Sequence, residues 1–182
     1  AVAALGLAFT GCHKSQRFAV DVPATDSVRI ARVDLDLVAF DTLKADAELE
    51  KLFQKYPDFM PLYFSEMLEL PVTDKKLLAD QLRTFRADTV FSQVNADVLA
   101  QFDDISDIEA ELTGSYAYIK HYFPEVALPE LYFFVSGFNR SVVITPAFIG
   151  VGVDMYLGSD YPRYSDISYK YMTYNMRRES IA

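Results

Sequence analysis

The chain has 182 residues, 51% hydrophobic and 14% aromatic, and carries a net charge of −9. That length suits one domain with a substantial core. The charge argues against nucleic acid, which needs a basic patch facing its phosphates, and against electrostatic adhesion to anionic lipid.

The first signal in chain order is Leu7-Ala8-Phe9-Thr10-Gly11-Cys12, which closes a short apolar run from Ala1. Small residues before a cysteine at the end of a hydrophobic segment are what a bacterial lipoprotein signal peptidase reads. Phe9 stands where Leu, Val or Ile is usual. Polar residues follow at once, from His13 to Arg17. Cys12 is the lone cysteine of the chain, so it has no disulfide partner within it. The alternative is a free cysteine buried in an apolar first element. Residues 1–11 read as the end of a signal peptide, residues 12–27 as lipid anchor and tether, and residues 28–182 as one folded domain. No later stretch approaches the roughly 18 uninterrupted apolar residues of a membrane span. The chain is therefore expected to be anchored to a membrane rather than to cross it.

Val28 to Phe40 alternates apolar and charged residues, most strictly from Arg32 to Leu37, and predicts a half-buried strand. Asp41 and Thr42 offer a cap for a helix over 43–55, broken by Tyr56-Pro57. A second helical stretch spans 58–70 and ends at Pro71. Asp74 caps a third, with Leu78, Leu82 and Phe85 at helical spacing. The phase resets near Arg86 to Asp88, and Phe91, Val94 and Val98 continue to about Phe102. A fourth helix covers 105–123, with Ile105, Ile108, Leu112, Tyr116 and Ile119 as its stripe.

The period then changes. Leu131 to Val135, Ser141 to Ile144 and Phe148 to Leu157 are short β-branched and aromatic runs bounded by turn residues, which suggests a meander. A Ser, Asp and Tyr-rich loop follows, and helical character returns after Tyr169. The order of elements predicts an α+β domain: a helical block packed on a mostly antiparallel sheet. The strands are too apolar to leave a face in water. Helices before Pro124 are expected to cover part of the sheet.

Motifs that carry chemistry are few. HExxH, CxxC, GxSxG and P-loop patterns are absent from the sequence. His121 falls near a helix end, where it suits the helix dipole better than a metal. Asp103, Asp104, Asp107, Glu109 and Glu111 suit the first turns of a helix and read as a solvated face. No catalytic residue, metal ligand or cofactor is expected. The better candidates are the turn 136–140 and the run 150–158. Gly150 and Gly152 weaken a strand and mark close approach of another backbone or a ligand. Asp154 interrupts apolar residues and needs a partner, or caps the next turn. Ser136, Arg140, Asp154 and Tyr156 are the candidate binding surface.

These same stretches, LPELYFFVSGFNRSVV, IGVGVDMYLGSDYPRY and YMTYNMRRESIA, together with RVDLDLVAFD and KYPDFMPLYF, resemble the gliding-motility lipoprotein GldB family of Bacteroidetes. The resemblance runs from about Val28 to the end, and GVGVDMYLG is its most specific part. It implies a fold remotely similar to zinc metallopeptidases, and family members that extend further at the C-terminus, so the domain over 28–182 is expected to be C-terminally incomplete, with helices beyond residue 182 covering the rest of the sheet. It also implies a cell-envelope lipoprotein, held by an N-terminal lipid and facing the periplasm or the surface, with envelope proteins as partners. Two functions of different class follow. One is a non-enzymatic role in binding a partner or organising a complex. The other is a peptidase-like metalloenzyme with its metal site beyond residue 182.

Overall fold

A computed structural model describes residues 26–167 and 169–182. Strand β1 (Ile30–Arg32) leads into helix α1 (Val33–Val38). A 3-10 turn at Thr42–Lys44 precedes α2 (Ala45–Lys55). Helix α3 (Phe59–Leu62) continues as a π-helical turn over Tyr63–Met67. Then come α4 (Lys75–Ala87), α5 (Thr89–Gln101) and α6 (Ser106–Tyr122). Strands β2 (Glu130–Phe134), β3 (Val142–Ile144) and β4 (Phe148–Gly152) follow, then the short helix α7 (Tyr164–Ile167). The caps read from sequence are present. Asp41 accepts from the Leu43 amide, and Asp74 accepts from the Leu77 amide, both locally satisfying helix-start donors. Asp88 holds the amides of Val90 and Phe91, which is where the phase resets.

The first expected strand is mostly helix. Val33, Leu37 and Phe40 fit a helical i, i+4, i+7 spacing, whereas Val33, Leu35 and Leu37 fit a strand's alternation. The helical choice buries Val33 and leaves Leu35 exposed. Arg32 settles the matter locally: its Nε and Nη2 donate to the buried Asp34 carboxylate at 2.7–3.1 Å, and its Nη1 donates to the Phe102 carbonyl at 2.6 Å. After Tyr169 there are only 3-10 turns, at Thr173–Asn175 and Arg178–Ser180.

The α+β class holds, but the sheet is mixed rather than mostly antiparallel. Its order is β1-β2-β4-β3, with β1–β2 and β2–β4 parallel and β3–β4 antiparallel. A meander would have put β3 beside β2. Instead the chain leaves β2, crosses over the end of β4's position, descends as edge strand β3, and returns as β4 between them.

The helices cover both faces of this sheet. Phe40, α2, α3, the π turn and α4 pack on Tyr132, Phe134 and Phe148. Helices α5 and α6 pack on Ile30, Leu131, Phe133 and Val151. Leu131 to Val135 are all buried beneath helices preceding Pro124, whereas Val142 and Ile144 on edge strand β3 stay exposed. Phe59 centres the first layer, with its ring 4.9–5.5 Å from those of Tyr63, Tyr132, Phe134 and Phe148.

Candidate functional site

The three parallel strands point their carboxyl ends the same way, and the crossing loop 135–141 lies there. Asp154 sits in a 3-10 turn just past β4 and is wholly buried. Its Oδ1 accepts from the Ser136 amide at 2.8 Å. Its Oδ2 accepts from the Ser136 hydroxyl at 3.0 Å and from the Phe138 amide at 2.6 Å. The Ser136 Oγ in turn accepts from the Asn139 amide at 3.1 Å, and Asn139 Nδ2 donates to the Met67 carbonyl at 3.0 Å. One carboxylate thus ties the loop to the sheet and to the π turn. Burial pushes the Asp154 carboxyl above its ordinary range, opposed by the donors from Ser136 and Phe138.

Two glycines make this loop possible, for different reasons. A Cβ on Gly152 would stand 2.0 Å from the Arg140 carbonyl oxygen, because the crossing loop runs directly over β4 there. The Gly152 amide donates to the Ser141 carbonyl at 2.9 Å across the same contact. A Cβ on Gly150 would meet the Phe134 and Phe59 rings at 3.0 and 3.2 Å. The close approach expected at these glycines is thus to backbone at Gly152 and to aromatic rings at Gly150. Gly137 and Phe138 both take positive φ, 67° and 61°, which turns the chain sharply. Phe138 then borders a groove of about 610 Å³ walled by Leu70, Phe85, Phe91 and Val94.

The four residues of the candidate surface do not share one environment. Ser136 and Asp154 are brought together but lie beneath the surface, since an ionisable side chain among apolar strand ends is tolerated only with its donors around it. Arg140 is exposed and donates to the side-chain and backbone oxygens of Asn139. Tyr156 is half-buried, and desolvation raises its hydroxyl pKa. Cys12 lies outside the described residues.

A second polar cluster went unread in the sequence. Asp36 accepts from Lys55 Nζ and from the Tyr56 hydroxyl, each at 2.6 Å. Burial, then Asp36, pushes the Tyr56 hydroxyl up to about 12. The Tyr56 ring meets Tyr132 edge-on at 5.6 Å, and the Tyr132 hydroxyl donates to Glu130. These groups line a groove of about 730 Å³ beside β1. Its one sequence signal was that Asp36, Tyr56 and Tyr132 fall in three of the motifs quoted above.

The acidic run near α6 is structural rather than simply solvated. Asp104 caps Ser106, Glu109 accepts from the Ile30 amide at 2.9 Å, and Asp107 pairs with Arg178. With Thr113 accepting from the Val28 amide, α6 closes the outer edge of β1. His121 stands exposed in the last turn of α6. Among the described residues no three His, Cys, Asp or Glu gather closely enough to hold a metal ion.

The fold and this site define a three-layered α+β domain organised around a carboxylate-tied crossing loop. The chain belongs to the GldB family: the family model described as gliding motility protein GldB matches residues 15–182. It is a gliding-motility protein of the cell envelope. The curated proteins and solved structures compared with the chain gave no match. Among the described residues no helix is long and apolar enough to cross a membrane.

Proposed function

We propose that this protein is a lipid-anchored envelope lipoprotein that binds a protein partner, or organises a complex, in gliding motility without catalysing a reaction. The lipid is carried by Cys12, and two or three acyl chains at ~0.8 kcal/mol per buried methylene hold it stably in a membrane. The observation that supports partner binding is the outer end of α6. Tyr118, Ile119, Tyr122, Phe123 and Val126 are all exposed within nine residues. Tyr118, Ile119 and Tyr122 lie in the last turns of α6, and Phe123 and Val126 continue the exposed apolar residues just past its end. Contiguous apolar surface of this kind is what protein-binding faces present to a partner.

The test is complementation of a gliding strain from which the gene has been deleted. A Tyr122→Asp, Phe123→Asp double variant should keep its circular dichroism and its place in the membrane fraction, yet fail to restore spreading. Cys12→Ala should lose labelling by a palmitate analogue. Full spreading by the double variant would end the docking role of α6, and an unlabelled wild-type protein would end the lipid anchor.

A further inference from the structure

The fold finishes the two edges of its sheet differently. At β1 the outward amides of Val28 and Ile30 donate to Thr113 Oγ1 and Glu109 Oε1 on α6, each at 2.9 Å. Edge strand β3 has no such cover. Its bonds to β4 fall on alternate residues: the Gly152 amide donates to the Ser141 carbonyl, and the Thr145 amide to the Phe148 carbonyl, both at 2.9 Å. With Val143 opposite Gly150, the same alternation turns the Val143 amide and carbonyl toward β4. The amides and carbonyls of Val142 and Ile144 then face outward, and none has a hydrogen-bond partner among the described residues. Native edges are usually blunted by charge, by proline or by shortness. Here the two open positions carry strong β-formers, with Val142 42% and Ile144 74% exposed on one face of the strand.

The ends of this open stretch decide what fits it. Pro146, the next outward position on one side, has no amide to offer. On the other side the Arg140 carbonyl is turned onto β4 at Gly152. A long peptide from another protein would therefore gain no strand bonds beyond Val142 and Ile144. A second copy of the same stretch leaves nothing over. A two-fold axis through Val143 sets Val142 opposite Ile144 of the second copy, and Ile144 opposite its Val142. Every outward amide then meets an outward carbonyl, and the four exposed side chains meet on one face. Because α6 already closes β1, the joined sheet has no further open edge at that strand, and the assembly stops at two. We infer that β3 is a contact between two copies of this chain, paired edge to edge and antiparallel about Val143. Strands this short bury far less than the ~1,200 Å² of a stable interface, so the dimer is weak in dilute solution and is best trapped covalently.

Cysteine cross-linking of the full chain, produced in the gliding strain and mildly oxidised, reads both the contact and its register. Val143 meets its own copy as a non-hydrogen-bonded pair, with Cα atoms about 4.5 Å apart and within disulfide reach. Val142 is offset from its own copy by two residues, more than ~7 Å away and out of reach. Val143→Cys should therefore give a covalent dimer, and Val142→Cys alone should not. Val142→Cys produced together with Ile144→Cys should give a mixed dimer, through two exposed side chains whose replacement leaves the core intact. Wild type, with Cys12 alone, should give none. Ile144→Lys added to Val143→Cys sets an ammonium against Val142 of the second copy and should remove most of the dimer. Absence of both the Val143→Cys dimer and the mixed dimer overturns the contact. So does Val142→Cys alone cross-linking as readily, which is collision without register. Val143→Cys joined to a different protein, identified by mass spectrometry, overturns it too, since the edge would then serve another partner. The α6 variants leave β3 untouched, so this inference and the gliding assay fail separately.

Discussion

Replacing Gly152 with alanine tests the crossing loop at its tightest point. The added Cβ would lie 2.0 Å from the Arg140 carbonyl oxygen and 3.2 Å from its carbon, with Ser136 Cβ at 3.3 Å. The nearest neighbour is backbone, so no rotamer change relieves it. Either β4 or the loop must shift, and overpacking of this kind costs about 1–3 kcal/mol. The shift also breaks the 2.9 Å bond from the Gly152 amide to Ser141, worth about 1 kcal/mol. The sum is about 2–4 kcal/mol. Gly150→Ala meets ring edges at 3.0–3.2 Å and should cost less, about 1–2 kcal/mol, because the Phe134 and Phe59 rings can give slightly. Gly137→Ala has open space but keeps φ at 67°, for about 1 kcal/mol. Urea unfolding followed by circular dichroism ranks the three through their midpoints. If Gly152→Ala costs no more than Gly137→Ala, the loop does not cross β4 as described.

Phe59→Ala should destabilise by about 3–5 kcal/mol in the same assay, since it empties the centre of four ring contacts; a loss under about 1 kcal/mol would contradict that packing. Asp154 has a raised pKa in the fold, so the folded state holds its proton to higher pH than the unfolded chain does. Its contribution is therefore fullest in acid and is lost as pH rises from the ordinary carboxyl range through the raised value. Midpoints of wild type and Asp154→Asn, compared from acid to neutral pH, should converge toward acid, and parallel profiles would refute the shift. Asp107 is held down to about 2, first by its hydrogen bond from Arg178. Its carboxyl resonance should titrate there and move up in Arg178→Gln, whereas an unchanged midpoint would remove Arg178 as the cause.

Family membership and most element positions were legible in the chain, for local reasons. Asp41 and Asp74 each cap a helix within three residues of their own position, so their signal needs no distant partner, and the phase reset at Asp88 proves to be a third such cap. Breaks at Pro57 and Pro71, the change of period after Pro124 and the suspicion attached to Gly152 and Asp154 are local in the same sense. Some local readings had two solutions. From Val33 to Phe40 the residues fit both a strand and a helix, and the helix is held by Arg32, which bonds the Asp34 carboxylate nearby and the Phe102 carbonyl seventy residues away. The groove of Asp36, Tyr56 and Tyr132 joins residues from three separate segments, and no spacing along one segment announces it.

Strand order was decided entirely in three dimensions. Three consecutive β-rich runs are compatible with a meander or with the observed crossing, because hydrophobic pattern specifies burial and not neighbour. What selects the crossing is the joint demand of Asp154 for donors, of the Arg140 carbonyl for a strand without a side chain, and of two sheet faces that helices already cover. The chain alone supplied the capping aspartates, the chain-breaking prolines and the two strand glycines. Only the assembled fold put Gly152 under Arg140 and Asp154 against Ser136, since each of those contacts exists only once β4 has entered between β2 and β3.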